Sequence, residues 1–113
     1  MKLPIIIENS VIPKLLSVFI TINAITLWPF IICKSRLDMH LLNHESIHIK
    51  QQQELLVVGF YFLYIYYWLK GLWRFWDARL AYYSIPFEQE AYEHEYNLDY
   101  LENRKWFAWW RYR

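Results

Sequence analysis

His44-Glu45-Ser46-Ile47-His48-Ile49-Lys50-Gln51-Gln52 is the stretch on which the reading of this chain turns. Its first five residues fit H-E-x-x-H. On a helix, positions i and i+4 share a face one turn apart, so His44 and His48 can reach one tetrahedral ion. Glu45 then faces the open coordination position, where a carboxylate can take a proton from water and later pass it to a leaving group. The competing reading is a polar helix with two solvated histidines. A third ligand elsewhere in the chain separates the two.

Composition frames that helix. The 113 residues suffice for one small domain, taken as 1–113. They are 57% hydrophobic and 21% aromatic, with 7 Trp and 10 Tyr, more aromatic surface than so small an interior can hide. Trp and Tyr favour the membrane–water interface. The chain is therefore expected to be membrane-associated, with lipid or a larger membrane protein complex as partner. A formal net charge of +1 argues against nucleic acid. The single Cys33 excludes an internal disulfide. No internal repeat is present.

The expected fold is α+β, mainly α. Residues 1–13 are short, apolar and broken by Pro4 and Pro13. Lys14 and the run after it have the look of a signal peptide, but no small-x-small site follows, so the segment is read as uncleaved. Residues 15–33 carry no charge and are long enough to span a bilayer, yet they are rich in Val, Ile and Thr. A short β-hairpin is preferred over a transmembrane helix, with strands at about 16–22 and 25–33 and a turn at Asn23-Ala24. Residues 34–41 read as a polar loop, and the motif helix continues through Glu54. His40, four residues before His44, is read as a loop or helix-start residue, because three collinear imidazoles cannot share one ion.

Residues 55–73 are the most hydrophobic run, and Trp68, Trp73 and Trp76 with Lys70, Arg74 and Arg79 resemble an interfacial edge. Lys and Arg flank the run on both sides, so no leaflet is assigned. Pro86 suits the first position of a new helix. Residues 87–104 read as an acidic helix, and the closing KWFAWWRYR as an interfacial anchor. Within the acidic helix, Glu88 or Glu90 can complete a His2Glu zinc site. The two lie about 200° apart on a helix, so only one can face the ion.

HESIHIKQQ together with FEQEAY resembles the motif pair of small gluzincin-type metallopeptidases, with an H-E-x-x-H-x-x-Q-Q helix and a later F-E-x-E-A-D. It is also similar to membrane-embedded gluzincins of the prenyl-protein-protease kind, whose second motif is E-x-x-A-D, and to small Bacteroidetes proteins carrying F-E-x-E-A-Y. The likeness runs from about residue 25 to the C-terminus. It implies a bacterial zincin-like protein with Zn2+ held by His44, His48 and Glu88, and an edge strand above the motif helix to which an extended peptide substrate adds. One departure stands out. The family Asp that orients a ligand histidine is Tyr92 here, and Glu95 or Asp99 is the candidate substitute.

These ligands restrict the apolar run between them. A single crossing by 55–73 would leave His48 and Glu88 about 30 Å apart, whereas zinc ligands lie within about 2 Å of the ion. The run is therefore expected to double back near Gly71 as an apolar helical hairpin at the membrane interface. The expected activity is membrane-associated zinc peptidase chemistry, with Glu45 as general base and Tyr92 or Tyr96 donating to the developing oxyanion. Two other readings compete with it. One is a non-catalytic assembly subunit with a vestigial metal site, and the other is a metal-free interfacial protein.

Overall fold

The structure, a computed structural model, describes residues 4–13, 24–34 and 38–113. The fold is α+β and mainly helical. Three short strands, β1 (Ile5–Ile7), β2 (Ala24–Leu27) and β3 (Phe30–Cys33), form a sheet of order β1-β3-β2. β3 is central, parallel to β1 and antiparallel to β2, with Ile31 opposite both Ile6 and Thr26. The expected strand over 25–33 is therefore two strands. Pro29 lacks a backbone donor and cannot continue a central strand, so Trp28 and Pro29, joined by a cis peptide, form the turn of a hairpin. The described 24–33 portion of 15–33 is thus strand rather than transmembrane helix. The expected strand at 16–22 lies outside the described residues. β1, inside the stretch broken by Pro4 and Pro13, gains its ladder from β3.

Helix α1 (Met39–Glu54) starts inside the expected 34–41 loop. Asp38 caps it by accepting from Leu41 N at 2.9 Å, which satisfies one of the free amides of the first turn. His40 stays at this exposed start, paired with Asp38 and stacked on Tyr96. Helix α2 (Val58–Phe75) and helix α3 (Ala78–Ser84) form the apolar hairpin. Its reversal is at Trp76, in the left-handed conformation, and Asp77, which caps α3, and not at Gly71. Gly71 has a different use. A Cβ there would lie 2.7 Å from Ser84 Oγ and 2.8 Å from Ala81 Cα, so the missing side chain lets α2 and α3 touch.

Pro86 opens helix α4 (Pro86–His94) as its first-turn residue. The expected helix over 87–104 breaks after His94. Asn97 accepts Asp99 N through its own side chain, the local competition that takes Asn out of helices. A short helix α5 (Tyr100–Asn103) follows, and then a 3₁₀ turn, Ala108–Tyr112. The C-terminal stretch is not simply an anchor. Trp109 is buried with its ring 4.8 Å from Phe87, while Trp106 and Trp110 stay exposed.

Two apolar clusters flank α1. Ile31, Cys33 and Ile49 join it to the sheet. Phe60, Ile85, Phe87 and Trp109 fill the space between α2, α4 and the C-terminal turn. Between them α1 buries Asn43, His44, Glu45, His48, Gln51 and Gln52, so the centre of the domain is polar. Such burial is tolerated only where each group finds a partner.

Candidate metal centre

The two glutamines of the quoted stretch show how α1 is held. Gln52 donates through Nε2 to Thr26 O at 2.8 Å and accepts from Trp28 N at 2.6 Å, so its amide pairs with the outer edge of β2 as a neighbouring strand would. The Tyr61 hydroxyl donates to the same Thr26 carbonyl. This alters the expectation that a peptide adds to the edge strand. β2 is an edge strand, but Thr26 O and Trp28 N–H are already taken, and a peptide pairing there must displace Gln52.

Gln51 works on the other side. Its Nε2 donates to Phe87 O at 3.1 Å and Glu90 Oε1 at 2.9 Å, so its oxygen must face His48 Nδ1, 2.7 Å away. That assignment puts a proton on His48 Nδ1 and leaves Nε2 as the lone-pair end. His44 is set the same way, because its Nδ1 lies 2.9 Å from Glu95 Oε2. Asn43 positions that carboxylate by donating to the carbonyls of His94, Glu95 and Asn97 at the end of α4. Of the two carboxylates considered for orienting a histidine, Glu95 and Asp99, Glu95 is the one that reaches it. Tyr92 does not take that role. Its ring packs edge-on against His44 and its hydroxyl pairs with Tyr82 at 2.8 Å.

His44 Nε2 and His48 Nε2 each lie 3.1 Å from one oxygen, Glu88 Oε1. The other Glu88 oxygen accepts from Tyr64 OH at 2.6 Å. Glu90 points away, to Arg104, Tyr100 and Gln51. Arg104 also forks onto Glu54 at 2.9 and 3.1 Å, so this ion cluster ties α1, α4 and the chain after α5 together. The facing required for a His2Glu set is thus met by Glu88 and not by Glu90.

Two lone-pair nitrogens and a carboxylate oxygen need a cation between them, either a proton on an imidazole or a metal ion. Without metal, burial opposes charging His48, but Glu88 and then Glu45 outweigh it and push the imidazole up to about 9. Burial would likewise raise Glu88, yet the two imidazoles hold its carboxyl well below the usual range. The donor set also fits an ion. Ligands at about 2.0–2.1 Å in tetrahedral array stand about 3.3 Å from one another, close to the 3.1 Å seen here.

Glu45 is the group left over. Its Oε2 is buried, lies 4.0 Å from His44 Nε2 and 3.8 Å from His48 Nε2, and has no hydrogen-bond partner among the described residues. Ligand atoms of His44, Glu45 and His48 lie within 4.8 Å of one another. Burial, the largest effect on it, raises the Glu45 carboxyl above its usual value. An orphaned buried carboxylate oxygen beside the two imidazoles and Glu88 is a group that a metal-bound water would satisfy. Tyr96, the other oxyanion candidate, is exposed and engaged with His40. Cys33 is no competing nucleophile, since burial and the charges of Glu45 and Glu8 push its thiol up to about 11.

Tyr64, Asn43 and Arg104 went unremarked in the sequence. Tyr64 is one of several tyrosines in an apolar run, and nothing local separates it from Tyr66 or Tyr67. No family model, curated protein or solved structure matches this chain. The likeness to gluzincins therefore rests on its motifs, and the site on its geometry.

Proposed function

We propose that the protein is a zinc-dependent hydrolase of peptide bonds, with His44, His48 and Glu88 as metal ligands and Glu45 as general base. The observation that carries this reading is the meeting of His44 Nε2 and His48 Nε2 on one Glu88 oxygen, with Glu45 Oε2 unpartnered beside them. Zinc held there supplies Lewis-acid polarisation of a carbonyl and acidifies a water. The chain supplies the rest. Glu95 and Gln51 fix the two imidazoles with their Nε2 ends inward. Tyr64 holds the second Glu88 oxygen, so that one oxygen is presented to the metal. Glu45 accepts the proton of the attacking water and returns it to the leaving amine. Tyr92, whose ring packs on His44, is the proposed donor to a bound carbonyl, and its hydroxyl must first part from Tyr82.

One observation favours a second reading, a closed metal site that only stabilises a subunit of a larger assembly. His44, Glu45, His48 and Glu88 are each only 4% exposed, and structural zinc sites are closed where catalytic ones keep an open position. Metal analysis and hydrolysis of an unstructured protein substrate separate the readings. The peptidase reading expects one zinc per chain and cleavage that Glu45→Gln abolishes with zinc retained. Absence of zinc removes both readings. Zinc without cleavage leaves the structural one, and full activity in Glu45→Gln takes Glu45 out of the mechanism.

A further inference from the structure

Helix α2 has two faces that differ in what they touch. At 100° per residue, Phe60, Tyr64, Tyr67 and Gly71 fall within about 60° of one another. This face packs on the Phe87 cluster, donates to Glu88 and receives α3. Val58, Phe62, Ile65, Leu69 and Trp73 fall about 180° away. Their exposures are 64, 73, 55, 54 and 78%, and no described residue covers them. Lys70, about 100° from the centre of this row, is exposed on its flank, whereas Arg74 falls on the inner side beside Tyr67. Residues 55–76 contain no Asp or Glu.

We propose that this outer face of α2 lies flat on an anionic lipid bilayer, with the apolar row among the acyl chains and Lys70 at the headgroup phosphates. A helix with an apolar row, a basic flank and aromatic residues at its end is the interfacial type, buried about 5–10 Å into the headgroup boundary. Charge decides between lipid and a second copy of the chain. Two α2 faces packed together would set each Lys70 against a stretch with no carboxylate, whereas anionic headgroups neutralise it. The geometry also fixes the orientation. α2 cannot stand upright in the bilayer, because α3 and α4 pack along its inner side and would carry Arg79 and Glu88 into hydrocarbon. Lying flat, it keeps the metal centre about one helix diameter, 10–12 Å, above the lipid. No single described helix is long and apolar enough to cross a membrane, and α1 and α2, which together have the length and composition, are bent by 112°.

The test uses the full chain and vesicles of phosphatidylcholine alone or mixed equally with phosphatidylglycerol. Flotation should show about fivefold stronger binding to the anionic vesicles, the effect of the one flanking cation. Phe62→Ser with Leu69→Ser should weaken binding by about two orders of magnitude, with circular dichroism unchanged because both positions are exposed. An environment-sensitive dye placed on Phe62→Cys or Leu69→Cys should shift to the blue on adding anionic vesicles, and one on Glu102→Cys should not. The proposal is overturned if binding ignores lipid charge, or if the double variant floats as well as the parent. It is equally overturned if the dye at position 62 is already shielded before lipid is added and the protein runs as a dimer, which would assign the face to a second copy.

Discussion

α1 and α2 are neighbours joined by a tight turn, and their surfaces are inverted relative to each other. α1 buries histidines, carboxylates and amides at the centre of the domain. α2 buries Phe60 and Gly71 but leaves Phe62, Ile65, Leu69 and Trp73 open. A polar interior helix is stable only if each buried group is partnered, and α1 meets that demand through Gln51, Gln52, Asn43 and the ion cluster at Arg104. Glu45 Oε2 is the exception that its neighbours do not satisfy. An apolar outer face, by contrast, loses little in isolation but makes the isolated domain adhesive. The two helices therefore differ in what holds them. α1 depends on an internal network, and α2 on its inner side alone until something covers the outer.

The contrast breaks most severely at Arg104. Its side chain is 4% exposed and bridges Glu54 and Glu90, themselves 2% and 0% exposed. Arg104→Ala strands two buried carboxylates and is expected to cost about 3–5 kcal/mol, read as a lower urea midpoint. Replacing an exposed residue of α2 such as Ile65 should leave that midpoint unchanged. Next comes Tyr64→Phe, which removes the donor to Glu88. It is expected to lower zinc affinity about 10–100-fold in a competition titration with a chromogenic chelator, with little change in secondary structure.

Gly71→Ala sharpens the other side of the comparison. A methyl group 2.7–2.9 Å from Ser84 and Ala81 must push α3 off α2. The expected loss is about 1–3 kcal/mol, seen in thermal unfolding. The smallest effect is a gain. Trp76 ends α2 with φ 52°, a left-handed position that favours glycine, and it is 83% exposed. Trp76→Gly is expected to add about 1 kcal/mol of stability in solution. If the outer face of α2 meets lipid, the same variant binds vesicles less well.

Much of the site was legible because its chemistry is local. His44, Glu45 and His48 sit at helical spacing on one helix, and the 200° separation of Glu88 and Glu90 meant that only one could join them. What spacing could not supply was the choice. Glu88 faces the imidazoles because Arg104, distant in sequence, returns to hold Glu90 on the opposite side of α4. Glu95 is the carboxylate that meets His44 because Asn43 anchors the end of α4 beside it. The hairpin of 55–85 was foreseen from the ligands it had to leave together, but its turn was misplaced. Gly71 was read as a hinge by its conformational freedom, and its use is as a gap between packed helices.

The sheet shows the same division. The β-branched run before Lys34 indicated strands, yet whether a strand that meets Pro29 ends or reverses depends on what it pairs with. Residues 1–113 by themselves determined a mainly helical chain with a metal-binding pattern on one helix, a carboxylate on another and an apolar run between them, because helical period and side-chain chemistry act over a few residues. Only the tertiary structure decided which carboxylate meets the histidines, which glutamine docks the sheet and which face of α2 is left open. Those choices are contacts between segments far apart in sequence, and they are set by the competition of all the buried polar groups for partners at once.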